Sequence, residues 1–364
     1  MKILSVVGAR PNFMKVAPLH RAFLTFAGVE STIVHTGQHH DARMSDVFFD
    51  QLELPKPDYF LGVRSGTQTQ QTADIMLRFE QVVQAESPDW VVVVGDVTST
   101  LACALVAVRM GVRVAHVEAG LRSGDRRMPE EINRILTDAL ADRLFVTEQA
   151  GLDNLDHEGV DRDKVHWVGN VLIDSLIRYR QKARTLNYPA RLQLSAGPYV
   201  VMTMHRPANV DTEAGLKAIS QIVASVASLR TVVFPVHPRT RKNLKQFGLM
   251  DKLENRTNVR LLDPQGYLEF LSLVEQAALV ITDSGGLQEE TTFLRIPCLT
   301  LRPTTERPVT VELGTNQLIA DLTPEAVQAK VVEILAGRIR PGSIPPLWDG
   351  KAANRIAAIL AQHV

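Results

Sequence analysis

From end to end the chain alternates short apolar runs with longer amphipathic segments. Apolar runs occupy residues 3–7, 32–35, 90–94, 112–117 and 144–147, and a second series follows at 199–204, 231–236, 259–262, 279–282 and 297–301. Valine and isoleucine dominate these runs without clean alternation of polar and apolar positions, which predicts parallel strands covered on both faces. Between them, residues 99–110, 129–141 and 214–229 carry apolar side chains at helical spacing. This β–α alternation predicts an α/β protein built from open, doubly wound sheets. The series breaks once, near residues 168–172, where a helix follows a strand-like run and residues 180–198 read as polar and irregular. Two Rossmann-like domains are therefore expected, spanning 1–168 and 169–347. The tail at 348–364 is helical and, from its pattern alone, can pack on either half.

Composition agrees with this division. Hydrophobic residues make up 45% of 364, enough to bury two sizeable cores. Forty residues of each charge cancel, so no net field recruits nucleic acid or an anionic membrane. No apolar run approaches the roughly 18 residues of a membrane span, and the N-terminal run ending at Gly8 is too short for a signal peptide. A cytoplasmic protein is expected. Cys103 and Cys298 each lie in an apolar stretch and read as buried, reduced thiols rather than a disulfide.

In open α/β sheets ligands bind beyond the carboxyl ends of the strands. In the first half those positions read Gly8-Ala9-Arg10-Pro11 with Lys15 one turn on, Thr36-Gly37-Gln38-His39-His40, Gly95-Asp96 and Glu118-Ala119-Gly120. In the second they read His205-Arg206, His237-Pro238-Arg239 and Asp283-Ser284-Gly285-Gly286. Any one of these could be an ordinary surface loop; their coincidence at one edge of both sheets predicts a site.

Asp283-Ser284-Gly285-Gly286-Leu287-Gln288-Glu289-Glu290 follows a strand and opens a helix. Unpaired backbone N–H groups, two glycines and the Ser284 hydroxyl suit a phosphate there. Glu290 would repel a phosphate and suits a ribose diol. Arg10, Lys15 and Arg307 are candidate cations for a diphosphate. Pro129-Glu130-Glu131-Ile132-Asn133-Arg134 opens a helix at its proline, and Glu130 and Arg134 share a face. No Gly-x-Gly-x-x-Gly follows a strand, and no Gly-Lys-Ser/Thr, His-Glu-x-x-His or Cys-x-x-Cys occurs. Neither a tightly bound nicotinamide nor an NTPase or zinc centre is indicated, and no metal or cofactor is expected. Asp161-Arg162-Asp163 reads as a solvated turn.

Together, Gly8-Ala9-Arg10-Pro11, Gly95-Asp96, His116-Val117-Glu118-Ala119-Gly120-Leu121-Arg122, the run from Pro129 to Arg134, His205-Arg206, Asp283 to Glu290 and Thr305-Glu306-Arg307-Pro308 resemble the non-hydrolysing UDP-N-acetylglucosamine 2-epimerases. The resemblance covers nearly the whole chain in the right order. It implies the GT-B-like architecture, two Rossmann-like domains facing across a cleft, with the C-terminal helix 348–364 returning to the first. It also implies a homodimer. Arg10, Lys15, Phe270, Ser284, Gly285, Gly286, Glu290 and Arg307 would hold UDP, and Asp96, Glu118, Glu130 and His205 would be the catalytic set. Arg134, Arg206 and Asn209 become further sugar-site candidates. Gln38, His39 and His237 resemble a second-nucleotide, allosteric site.

The implied chemistry suits these residues. The proton at C2 of the sugar has no adjacent carbonyl, so elimination of UDP across C1–C2 to a 2-acetamidoglucal, followed by re-addition, is easier than direct abstraction and return. That route needs a cationic diphosphate grip and acid–base groups on both faces of the ring. Which carboxylate serves which face stays open. Two loops depart from the best-known bacterial members: residues 121–129 form a shorter connection, and Arg206-Pro207-Ala208-Asn209 replaces Arg-Arg-Glu-Asn. Both loops would border the sugar. The segment from His35-Thr36-Gly37-Gln38-His39-His40-Asp41 through Pro55-Lys56-Pro57-Asp58-Tyr59 also resembles relatives that epimerise UDP-2,3-diacetamido-2,3-dideoxyglucuronate, so that substrate, with Arg126 or Arg127 near the uronate, is an alternative. A hydrolysing epimerase, a GT-B glycosyltransferase and a non-catalytic nucleotide-sugar sensor are the remaining rivals.

Overall fold

The computed structural model describes residues 1–37, 51, 53–63, 66–194 and 198–362, except for the side chain of Arg10. The chain divides into two compact units, Met1–Arg178 with the returning C-terminal segment, and Tyr179–Pro345.

Among the described residues the first unit holds seven strands: β1 (Lys2–Val7), β2 (Glu30–His35), β3 (Tyr59–Phe60), β4 (Trp90–Val94), β5 (Arg113–Ala119), β6 (Arg143–Val146) and β7 (Val165–Trp167). They form one sheet in the order β3-β2-β1-β4-β5-β6-β7, every pair parallel. The strand order reverses between β1 and β4, so the crevice at their carboxyl ends is a topological switch point. All five residues of β4 are buried, as a central parallel strand covered on both faces requires. The pattern of apolar runs located β1, β2, β4, β5 and β6 to within a residue or two. The strand-like run that ends before the break near residue 168 is β7; only β3, two residues long, carries too few positions to show a period.

The second unit repeats the plan with β8 (Val200–Thr203), β9 (Val232–Pro235), β10 (Val259–Leu262), β11 (Leu279–Thr282), β12 (Cys298–Thr300) and β13 (Asn316–Leu318). Their order is β10-β9-β8-β11-β12-β13, again all parallel, with the reversal between β8 and β11. The short β13 escaped the sequence reading. Cys103 and Cys298 are buried, unbridged thiols, one in each unit.

Residues 180–198 were expected to be irregular. Instead one helix runs Val171–Leu186, and a short one follows at Tyr188–Arg191. The early part of the long helix belongs to the first unit: the Ser175 hydroxyl donates to Met14 O at 2.5 Å, and Asp174 accepts from Ala352 N (3.2 Å) and Ala353 N (2.7 Å). Asp174 thus supplies an acceptor to the otherwise unpaired first turn of the C-terminal helix Ala352–Ala361. That helix packs on Arg10–Phe23 within the first unit. Among the described residues no helix is long and apolar enough to cross a membrane.

Candidate active site

In the first unit the polar cluster grows from the ends of β1, β4 and β5. Asn12, buried three residues past Ala9, shapes the turn after β1: its Oδ1 accepts from Ala9 N at 2.9 Å, and its Nδ2 donates to Val94 O at 2.9 Å. This ties the β1 exit to the β4 exit across the switch point. One turn later Lys15, also buried, places Nζ on Glu118 Oε2.

Glu118 reaches that position through a backbone irregularity. The β5–β6 register shifts between Val117 and Ala119, and Glu118 itself sits at φ 74°, a left-handed conformation that side-chain-bearing residues rarely adopt. The following Gly120 is at φ 78°, and a Cβ there would lie 2.4 Å from Gly151 O. Glycine is therefore required by both conformation and space.

Asp96, at the β4 exit, pairs with Arg134 Nη1, and its carbonyl accepts from Asn133 Nδ2 at 2.8 Å. Arg134 shares a helix face with Glu130 by its spacing, and its Nη2 donates to Glu131 at 2.8 Å, the i,i+3 neighbour on the buried side of the helix, while Glu130 is half-buried. Glu131 also accepts from Ser123 N and Gly124 N, both at 2.9 Å. Burial works against its charge, but these N–H groups and Arg134 together hold its carboxyl below the usual carboxylate range. The sequence reading overlooked Glu131; one carboxylate ties the loop after β5 to the arginine that holds Asp96. Arg127, a candidate cation in the same loop, is engaged by Asp125 at 2.8 Å, while Arg126 is exposed.

In the second unit the anchor is Asp283, at the β11 exit and fully buried. It accepts from His205 N (3.1 Å), Arg206 N (2.9 Å) and Asn209 Nδ2 (3.0 Å), and its Oδ1 lies 3.0 Å from His205 Nδ1. Burial opposes its charge, but His205 and the other donors hold its carboxyl below the ordinary range. With Nδ1 engaged by a carboxylate, Nε2 is the ring nitrogen through which such an imidazole can exchange protons. Asn209, read from sequence as a sugar-site candidate, is buried and turned onto Asp283. His237, whose Nδ1 accepts from Arg239 N at 3.2 Å, lies with its ring centroid 5.7 Å from that of His205, the two rings tilted by 41°. Its expected companions Gln38 and His39 lie outside the described residues.

Ser284 precedes the helix Gly285–Leu294. A Cβ on Gly285 would lie 2.6 Å from Arg307 Nη1, so the guanidinium sits directly over the helix start. Arg307 is itself held by Glu306 (2.5 Å) and Glu289 (3.1 Å), and Arg302 also pairs with Glu306 at 2.9 Å. Glu290 is buried and accepts from Tyr267 Oη at 3.1 Å. Burial pushes its carboxyl up to about 7; the Tyr267 bond opposes the rise and the charge of Glu289 adds to it. Phe270 is half-buried on the helix Tyr267–Glu275. Asp161-Arg162-Asp163 forms an exposed 3₁₀ turn in which Asp161 accepts from Asp163 N at 3.0 Å.

A family model described as UDP-N-acetylglucosamine 2-epimerase matches residues 22–361. A UDP-N-acetylglucosamine 2-epimerase of Methanocaldococcus jannaschii is 41% identical over 99% of both chains. A UDP-2,3-diacetamido-2,3-dideoxy-D-glucuronate 2-epimerase of Pseudomonas aeruginosa is also 41% identical, over the full length of both. The crystal structure of M. jannaschii UDP-GlcNAc 2-epimerase in complex with UDP-GlcNAc and UDP superposes with a TM-score of 0.93 at 40% identity, covering both chains completely.

Proposed function

The chain belongs to the UDP-N-acetylglucosamine 2-epimerase family, and we propose that it interconverts UDP-GlcNAc and UDP-ManNAc without net hydrolysis. The reaction removes the C2 proton to an enzyme base while the C1–O bond to the diphosphate breaks, and UDP departs with that electron pair. The product of this half-reaction is a 2-acetamidoglucal. In the return half, UDP adds back to C1 and an enzyme acid protonates C2 on the opposite face.

The observation that carries this reading is the concentration of acid–base groups at the β1/β4 switch point. Asp96 and Glu118 end neighbouring strands there, each against a cation, Arg134 and Lys15 respectively. In this reading Asp96, Glu118, Glu130 and His205 exchange protons, and Asp283 orients His205. Ser284, Gly285, Gly286 and Arg307 hold the diphosphate, joined by Arg10 and Lys15. Glu290 receives the ribose diol, Phe270 packs near the uracil, and Arg134 and Arg206 border the sugar. The helix start and a guanidinium stabilise the charge that develops on departing UDP.

A homodimer belongs to the same proposal. The neighbouring helices Gln68–Glu86, Thr98–Arg109 and Pro129–Leu140 leave Leu77, Val108 and Leu136 exposed, apolar surface of the kind that subunit association covers. Light scattering on the purified chain tests it.

The activity is tested by incubation with UDP-GlcNAc in deuterated water and NMR of the products. Deuterium at C2 of UDP-ManNAc is expected. Free ManNAc would indicate the hydrolysing reaction, and no exchange without an acceptor would indicate a glycosyltransferase. Parallel incubation with the diacetamido uronate decides between the activities named for the two 41%-identical relatives.

A further inference from the structure

Glu118 is the acid–base candidate whose backbone conformation is least favourable, so something must hold it. We propose that Asp138 is the positioning residue that keeps Glu118 aimed, clamping the β5 bulge on both sides; the proposal rests on the reading of Glu118 as a proton-transfer group.

Asp138 is buried on the helix Pro129–Leu140 and uses both carboxylate oxygens. Oδ1 lies 2.6 Å from His116 Nδ1, two residues before Glu118. Oδ2 accepts from Gly120 N at 3.1 Å, two residues after it, and from Arg122 Nη1 at 2.7 Å. One rigid side chain therefore grips the strand symmetrically about the bulge. His116 extends the clamp to β4, because its Nε2 lies 2.9 Å from Gly95 O. Both ring nitrogens thus face oxygen partners, one on the helix and one on the β4 exit, so the imidazole bridges the two. Burial disfavours the Asp138 charge, yet His116 and Arg122 hold its carboxyl below the usual carboxylate range.

The clamp sets a distance that matters to Glu118. A Cβ on Gly95 would lie 3.2 Å from Glu118 Oε2 and 3.5 Å from Lys15 Nζ. The backbone that His116 grips is thus part of the wall against which the Glu118 carboxylate rests. Release of either grip lets the bulge relax toward regular strand, and since successive residues of a strand face opposite ways, a change there redirects Glu118. Asparagine at 138 is nearly isosteric but offers only one acceptor oxygen in place of two, so it cannot keep both the His116 and the Gly120 contact as they stand.

The test is a double-mutant cycle on the full chain. Asp138→Asn is expected to lower kcat about 100-fold, the cost of a displaced catalytic group, with KM and the UDP dissociation constant within about twofold of wild type. In the Glu118→Gln background, measured with enzyme in excess, the same substitution is expected to change the residual rate by less than about twofold. A merely structural residue would go on lowering activity in that background, so multiplicative losses overturn the proposal, as does a wild-type kcat in Asp138→Asn. Full activity in Glu118→Gln alone removes the underlying reading of Glu118 and the proposal with it. Circular dichroism and UDP binding report folding of each variant. If Asp138→Asn does not fold, His116→Gln, which leaves Asp138 its Gly120 and Arg122 contacts, carries the same cycle with the same expectation.

Discussion

Lys15 and Glu118 meet as a buried ion pair, the first from the helix after β1 and the second from the bulged end of β5. Their side chains are 9% and 4% exposed, so neither charge is hydrated well enough to do without the other. Breaking a buried pair from one side leaves a charge that the interior does not tolerate. Lys15→Met should lower unfolding free energy by about 3 kcal/mol and lose epimerase activity. Urea denaturation followed by circular dichroism measures the first effect; stability within 0.5 kcal/mol of wild type, the ~0.5 expected of a surface change, would refute it.

Asp283 should govern the proton-carrying state of His205. An asparagine at 283 can place its amide N–H toward Nδ1, which selects the wrong imidazole tautomer without emptying the site. By analogy with other His–carboxylate pairs, kcat is expected to fall about 10³-fold or more. UDP-GlcNAc turnover by Asp283→Asn, beside a direct titration of UDP binding, separates loss of chemistry from loss of the ligand site. A kcat within tenfold of wild type, a change of about 1.4 kcal/mol, would remove Asp283 from the mechanism.

Glu290 links pH to both stability and affinity. Its carboxyl rises from 4.5 to about 7 on folding, so the folded state binds the proton more tightly than the unfolded one. The stability from this group is complete below pH 4.5 and is lost as pH rises through about 7, a difference of about 3 kcal/mol at most. Glu290→Gln should therefore be more stable than wild type at pH 8 and similar to it at pH 4. Ribose hydroxyls donate best to the ionised carboxylate, so UDP affinity should strengthen through the same pH window in wild type and stay flat in the variant. Calorimetry between pH 4 and 8, the ~4-unit span that brackets the transition, checks both.

Gly120→Ala should be among the most damaging single-methyl additions in the first unit. The new Cβ would meet Gly151 O at 2.4 Å, at a φ of 78° that alanine disfavours. A loss of at least about 3 kcal/mol is expected, read as a lowered Tm. Gly159→Ala is the control, with φ 73° and open space around its Cβ; it should cost only about 1–2 kcal/mol from conformation.

The sequence carried the fold because burial on both faces of a parallel strand leaves an unbroken apolar run, and every strand of four or more residues showed one. The same reading located the strand ends, and with them Asp96, Glu118, His205 and the Ser284–Gly286 turn. Residues 180–186 were misread because the polar side chains of an exposed helix face resemble those of a loop.

What tertiary structure alone decided was partnership. Arg134 could reach Glu130 or Glu131 by spacing, and burial of one face of its helix brought it onto Glu131 and Asp96. The bulge at Glu118 leaves the apolar pattern of β5 unchanged, since a left-handed φ at one residue alters direction and not composition. Asp138 lies 20 positions along the chain from Glu118, with nothing in the intervening spacing to connect them. Local pattern records which residues seek the interior; which of them meet there depends on contacts between segments remote in sequence, and those exist only once the sheet that carries them has formed.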